Sequence, residues 1–327
     1  MAGTFTHWMV VEEALATIDR LPDNEKHEYF SKILFNSHFV SLGAVGPDYP
    51  YLYEVIKEII KVKHHSWADR MHYENIDRFV VNGIQNLQKL PESDLPQSDF
   101  NICLSWFCGF VTHLIVDTVI HPVVNAIVGP YIFNSDEHRH CEMTQDSFIF
   151  MKTKKCEIYY SAPGDDGYLG ILKMCHDPDD KDHLHPAVRN FWTSTLKMSH
   201  PGGVNHFDTI VPDEWHRSFI STIGSSSKPP YLFRHMEEDL HISYEETSDI
   251  LAEDRRRFID EIALPGDNVG KFKENAFDNA VAKVIYTWTH LFGDIKNNKS
   301  GNSLPYIKNW NLDLGVDMDN CTFWNEG

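Results

Sequence analysis

The chain has 327 residues and a formal net charge of -19, from 48 acidic residues against 29 Lys and Arg, with 42% hydrophobic residues. That is length enough for one large domain or two modest ones with an ample core, and the acidic balance counts against nucleic acid as a partner, because a basic patch is the usual footprint of phosphate-backbone recognition. The start, MAGTFTHWMVVEEAL, lacks a basic region followed by a long apolar run and a small-residue cleavage site, so no secretory signal is read and a cytoplasmic location is expected. Cys103, Cys108, Cys141, Cys156, Cys175 and Cys321 show no C-x-x-C pairing and read as free thiols.

In chain order, apolar spacing predicts a helix from Thr6 to Leu21, with His7 in its opening turn, and a second from Asp23 to Val40. Gly and Pro in SLGAVGPDYPYL force irregular backbone around Asp48. An apolar segment from Leu52 to Val62 leads to KHHSWADRMHYEN, which carries His64, His65 and His72, and a helix from Glu74 to Leu87 follows. The acidic linker LPESDLPQSD then delivers the chain to Phe100–Val124, a rod apolar on nearly every face. Gly129 and Pro130 break it before NSDEHRHCEMTQDSFIFMK, and Tyr159 to Gly170 reads as loop. Helical patterns return over Pro186–His200, Pro212–Ile223 and Ser243–Ile262, and Phe277 to Phe292 carries an apolar stripe assigned to the core. With no repeat and no run of alternating strands, the class is mainly α, a single helical domain with a metal-binding core over 1–155 and a loop-rich part over 156–327.

The central rod holds His113, Asp117 and His121 at i, i+4 and i+8, so two imidazoles and a carboxylate project from one side of a buried helix. Burying such groups without a cation is costly, whereas neutral His and carboxylate around a divalent metal are satisfied. His138, Glu142 and Asp146 repeat the spacing on the next helix. Together His7, Asp48, His72, His113, Asp117, His121, His138 and Glu142 suit two or three zinc ions, since one ion is satisfied by roughly four ligands. Clustered metals activate water and clamp the oxygens of an in-line displacement at phosphorus.

The ordered motifs THWMV, GAVGPDYP, WADRMHYEN, GFVTHLIVDTVIHP and HRHCEMTQD resemble the zinc-dependent phospholipase C family, which is related to the S1/P1 nucleases. The resemblance implies an all-helical fold holding up to three zinc ions. By motif, His7 matches the early helix His, Asp48 the loop Asp and His72 the next His. His113 and Asp117 match the His-x3-Asp helix with its bridging Asp, His121 the His that follows, and His138 with Glu142 the His-x3-Glu pair. Asp117 and His121 stand closer in sequence than their counterparts in the secreted bacterial enzymes.

The reading is a phosphodiester hydrolase acting through a metal-bound hydroxide on a phospholipid or another small-molecule substrate, with transient membrane contact. Asp48 is also the candidate catalytic base. A nuclease or other phosphodiesterase, different metal chemistry on a non-lipid molecule, and a purely structural zinc site are the alternatives. Asp146 is read as a second-layer support for a ligand or as solvated, and Cys141 as packing. His183, His185, His200, His206 and His216 are assigned to surface and loop positions.

Overall fold

The structure, a computed structural model, describes residues 3–25, 27–56, 67–92, 94–158, 167–202, 209–224, 244–266, 268–301 and 304–325. Its axis is α7, Asp99–Val128, which begins at Ser98, whose hydroxyl accepts from the Asn101 amide, and ends at Gly129 with φ 84°. Nearly every residue of α7 is buried. Its length and hydropathy would let it cross a membrane, yet its most apolar window is wholly enclosed by protein. A helix apolar on all sides needs cover on all sides. That cover comes from α1 (Thr4–Asp19), α2 (Glu28–Phe35), α3 (Ser37–Gly43), α6 (Ile76–Leu87), α8 (Tyr131–Lys154), α10 (Pro186–Ser199) and α13 (Asp278–Lys296). The smaller helices are α4 (Tyr49–Ile56), α5 (Trp67–Tyr73), α9 (Tyr168–Lys173), α11 (Pro212–Gly224) and α12 (Ala252–Arg255).

The polar residues of α7 turn inward on its own backbone: Ser105, Thr112 and Thr118 donate to the carbonyls of Asn101, Cys108 and Leu114, four residues back. Each hydroxyl is thereby satisfied without water. Helix α3 crosses α7 where Gly43 faces Gly109. A Cβ on Gly43 would enter the Trp106 carbonyl, and one on Gly109 the Val40 carbonyl, so only glycine permits this approach.

The chain is mainly α, as its spacing predicts, with local departures. The helix expected from Asp23 to Val40 is a 3-10 turn at Asp23–Glu25 followed by α2 and α3, divided at Asn36, whose φ is -106° and ψ 32°. The helix expected from Glu74 starts at Ile76, after α5. The loop expected to reach Gly170 gives way to α9 at Tyr168, a residue that is buried and stacks on Trp8 at 4.2 Å. In place of a helix from Ser243 to Ile262, the described residues of that stretch hold α12 and a π turn at Arg256–Asp260. A two-stranded hairpin, β1 (Ile262–Leu264) with β2 (Asn268–Gly270), is a small addition to the mainly α class. Leu52–Val62 lies partly, and His64, His65 and His206 wholly, outside the described residues. All six cysteines are free.

Candidate metal centre

Helix α7 carries His113, Asp117 and His121 on successive turns of one side. Around them α1 brings His7, the turn before α4 brings Asp48, α5 brings His72, and α8 brings His138 and Glu142. All eight are buried, none more than 7% exposed.

Two of the imidazoles are fixed by carbonyl oxygens. His72 Nδ1 donates to Ala68 O at 2.7 Å, and His113 Nδ1 donates to Ala44 O at 2.9 Å. A carbonyl only accepts, so both Nδ1 atoms carry hydrogen and, in the neutral rings, both Nε2 atoms present lone pairs. Those two Nε2 atoms lie 3.1 Å apart. His72 Nε2 is also 3.3 Å from Asp48 Oδ1 and 3.6 Å from Asp117 Oδ2; His113 Nε2 is 3.9 Å and 3.1 Å from the same two oxygens. The acceptor atoms of His72, His113 and Asp117 thus form one compact donor group, with the Asp48 oxygen facing the same two imidazoles. Tetrahedral zinc with bonds of about 2.0–2.1 Å separates its donors by roughly 3.3–3.4 Å, which falls inside this range. The cage demands positive charge at its centre, and its nitrogen and oxygen donors suit zinc.

Electrostatics carry the same message. Burial disfavours a charged His113, but Asp117 and Asp48 outweigh it and push its pKa up to about 9. Burial works to raise the Asp48 carboxyl, yet His113 and His72 hold it below the usual range. Asp117, against the same penalty, is held well below it by His113 and His121. The two carboxylates thus favour positive charge at the point where a cation would sit.

Asp117 divides its two oxygens. Oδ2 faces His113 and His72, while Oδ1 lies 3.2 Å from His7 Nε2 and 3.3 Å from His121 Nε2. One carboxylate therefore addresses two separate pairs of imidazoles, the arrangement a bridging ligand requires. His7 stacks on His113 with centroids 4.4 Å apart, and His7, Asp48 and His113 form a second compact group of donors. Beyond this, Glu142 Oε1 is 3.7 Å from His121 Nδ1. Burial raises the Glu142 pKa. His138 stands at the flank, its Nε2 donating to Gly129 O at 2.5 Å and its Nδ1 without a hydrogen bond among the described residues.

Asp146 is a support, and it is fully buried rather than solvated. It accepts from the amides of Phe5 and Thr6 at 3.1 and 2.6 Å and from the Thr6 hydroxyl at 2.6 Å, so it caps the start of α1 just before His7. The Tyr244 hydroxyl adds a fourth donor at 3.0 Å. Against expectation, His200 and His216 are interior, 5% and 2% exposed. Sequence reading also missed Asp313. Its side chain reaches within 3.9 Å of His121 Nε2 from a tail whose residues show no period to betray it.

A helical chain wrapped round a buried His/Asp cage of this shape has the outline of a helical metalloprotein. The chain belongs to the zinc-dependent phospholipase C family, whose sequence model matches residues 6–202 and takes in all eight ligand candidates. Membership places it among zinc-dependent hydrolases. No curated protein and no solved structure matches it.

Proposed function

We propose that the chain hydrolyses a phosphodiester of the phospholipid type, releasing the lipid alcohol and a phosphorylated headgroup. The observation that carries this is Asp117, whose two oxygens face separate imidazole pairs. Such a hub serves a cluster of ions and has no use in a closed single-ion structural site. His72, His113 and Asp117 would hold one ion, with Asp48 beside it, and His7 with Asp117 another. His121 with Glu142 and His138 would complete a total of about two or three ions at roughly four ligands each. When bound, the zinc ions supply Lewis-acid polarisation of the phosphoryl oxygens and lower the pKa of water.

The protein's own groups do the rest. The carbonyls of Ala68 and Ala44 hold His72 and His113 in the tautomer that leaves Nε2 free to ligate. Asp48, kept ionised by His113 and His72 against burial, is a weak base but a good hydrogen-bond acceptor. It therefore orients the attacking water in addition to its place in the cage. Burial of the centre excludes bulk water and strengthens each interaction.

Elemental analysis of the purified chain, combined with assays on phosphatidylcholine and on single-stranded DNA, tests the reading. At least two zinc ions per chain and hydrolysis of the lipid alone are expected. Less than one zinc per chain overturns the cluster, and cleavage of DNA in preference to lipid replaces the proposed substrate with nucleic acid. Asp117→Asn should lower both zinc content and activity by at least about tenfold, in keeping with the cost of losing a ligand contact.

A further inference from the structure

His121 presents Nε2 to two carboxylates, Asp117 Oδ1 at 3.3 Å and Asp313 Oδ1 at 3.9 Å. That nitrogen is buried and makes no hydrogen bond among the described residues. A buried ring nitrogen facing two carboxylates without hydrogen-bond geometry is placed as co-ligands of a cation are placed. Asp313 is also held for the purpose. Tyr73 donates to its Oδ2 at 2.6 Å, which leaves Oδ1 toward His121, and Asn125 Nδ2 donates to its carbonyl at 2.6 Å. The neighbouring Leu312 amide donates to His72 O at 3.1 Å, so the tail is bound to the backbone of another candidate ligand. Gly315, at φ +60°, sits against Thr118 O and Pro122 of α7, where no side chain would fit.

We propose that Asp313 is a further ligand of the metal centre on its His121 side, supplied by a tail beyond the stretch that the family model matches. This rests on the zinc reading above. A ligating carboxylate is itself oriented by a hydrogen bond, and Tyr73 is the group that does so.

The test is zinc affinity and stoichiometry, measured by competition with a chromogenic chelator on the full chain and on Asp313→Asn and Tyr73→Phe. Asp313→Asn keeps an acceptor for Tyr73 and removes the charge; it should bind its weakest zinc about 10- to 100-fold less tightly, or lose that equivalent. Tyr73→Phe should weaken the same ion by a smaller factor, and it keeps the test open if Asp313→Asn fails to fold. Tyr73→Phe also loses its hydrogen bond to Asp313 and should melt somewhat lower in the chelated state, so zinc binding is compared at a temperature where the chelated variant is fully folded. Unchanged zinc binding in a folded Asp313→Asn, or in Tyr73→Phe alone, overturns the assignment. A wild-type chain with less than one zinc overturns the underlying cluster instead, so the two failures are distinct.

Discussion

At the scale of residues, what the sequence shows well is donors at helical spacing. His113, Asp117 and His121 were legible because i, i+4, i+8 puts them on one side of one rod. The groups that aim them were not legible, since Ala68 and Ala44 act through their carbonyls and every residue has one. Asp146 shared the His138 spacing, but its job is to close the start of α1. Asp146→Ala should cost about 2 kcal/mol, the upper end for a lost cap, read as a shift in urea midpoint with unchanged slope. His216 carries a second prediction. Burial, reinforced by His176, lowers its pKa to about 3. Between that value and the ordinary 6.5 the unfolded chain takes up a proton that the folded one refuses. Its contribution is thus complete above about pH 6.5 and is lost as pH falls toward 3, at up to about 1.4 kcal/mol per unit. His216→Leu should flatten that acid limb in denaturation curves collected from pH 7 to 4; an unaltered limb would show the ring to be accessible.

At the scale of elements, long apolar rods read correctly and mixed-charge segments did not. Helix α7 was found within a few residues, and its breaker Gly129 with it. The stretch from Ser243 to Ile262 misled because charge on one side and scattered Ile and Phe on the other imitate amphipathy. Its apolar end, Ile262-Ala263-Leu264, alternates and pairs with Asn268–Gly270 across a turn at Pro265 and Gly266, the latter at φ +82°. Those turn residues were the available signal. The α3–α7 crossing joins packing to chemistry, because Ala44, whose carbonyl holds His113, directly follows α3. Gly109→Ala forces Val40 and Ala44 outward. We expect a loss of about 1–3 kcal/mol, the usual range for overpacking, together with weaker zinc binding in titration. A variant that loses stability but binds zinc as before would separate the crossing from the site.

At the scale of the whole molecule, the helical class follows from apolar spacing without a run of alternating strands, and the order of the candidate ligands along the chain from the motifs. The way the last part folds back does not, because the tail from Asn297 has no period and its contacts are scattered individual bonds, among them Leu312 to His72, Trp324 Nε1 to Val119 O at 3.1 Å and Asp313 to Tyr73. These contacts tie the tail to His72 and α7, which carry candidate ligands. If zinc binds the native cage and not the unfolded chain, saturation at about 100 times Kd stabilises by about 2.7 kcal/mol, so chelation should lower Tm and re-addition restore it. An unchanged Tm after complete removal would show that the cage stands without its ion. The tail has a further consequence for the order in which the centre is made. In chain order the eight candidate ligands from His7 to Glu142 all precede Asp313 by at least 171 residues, so during synthesis the Asp313 carboxylate is the last of these groups to become available to the site.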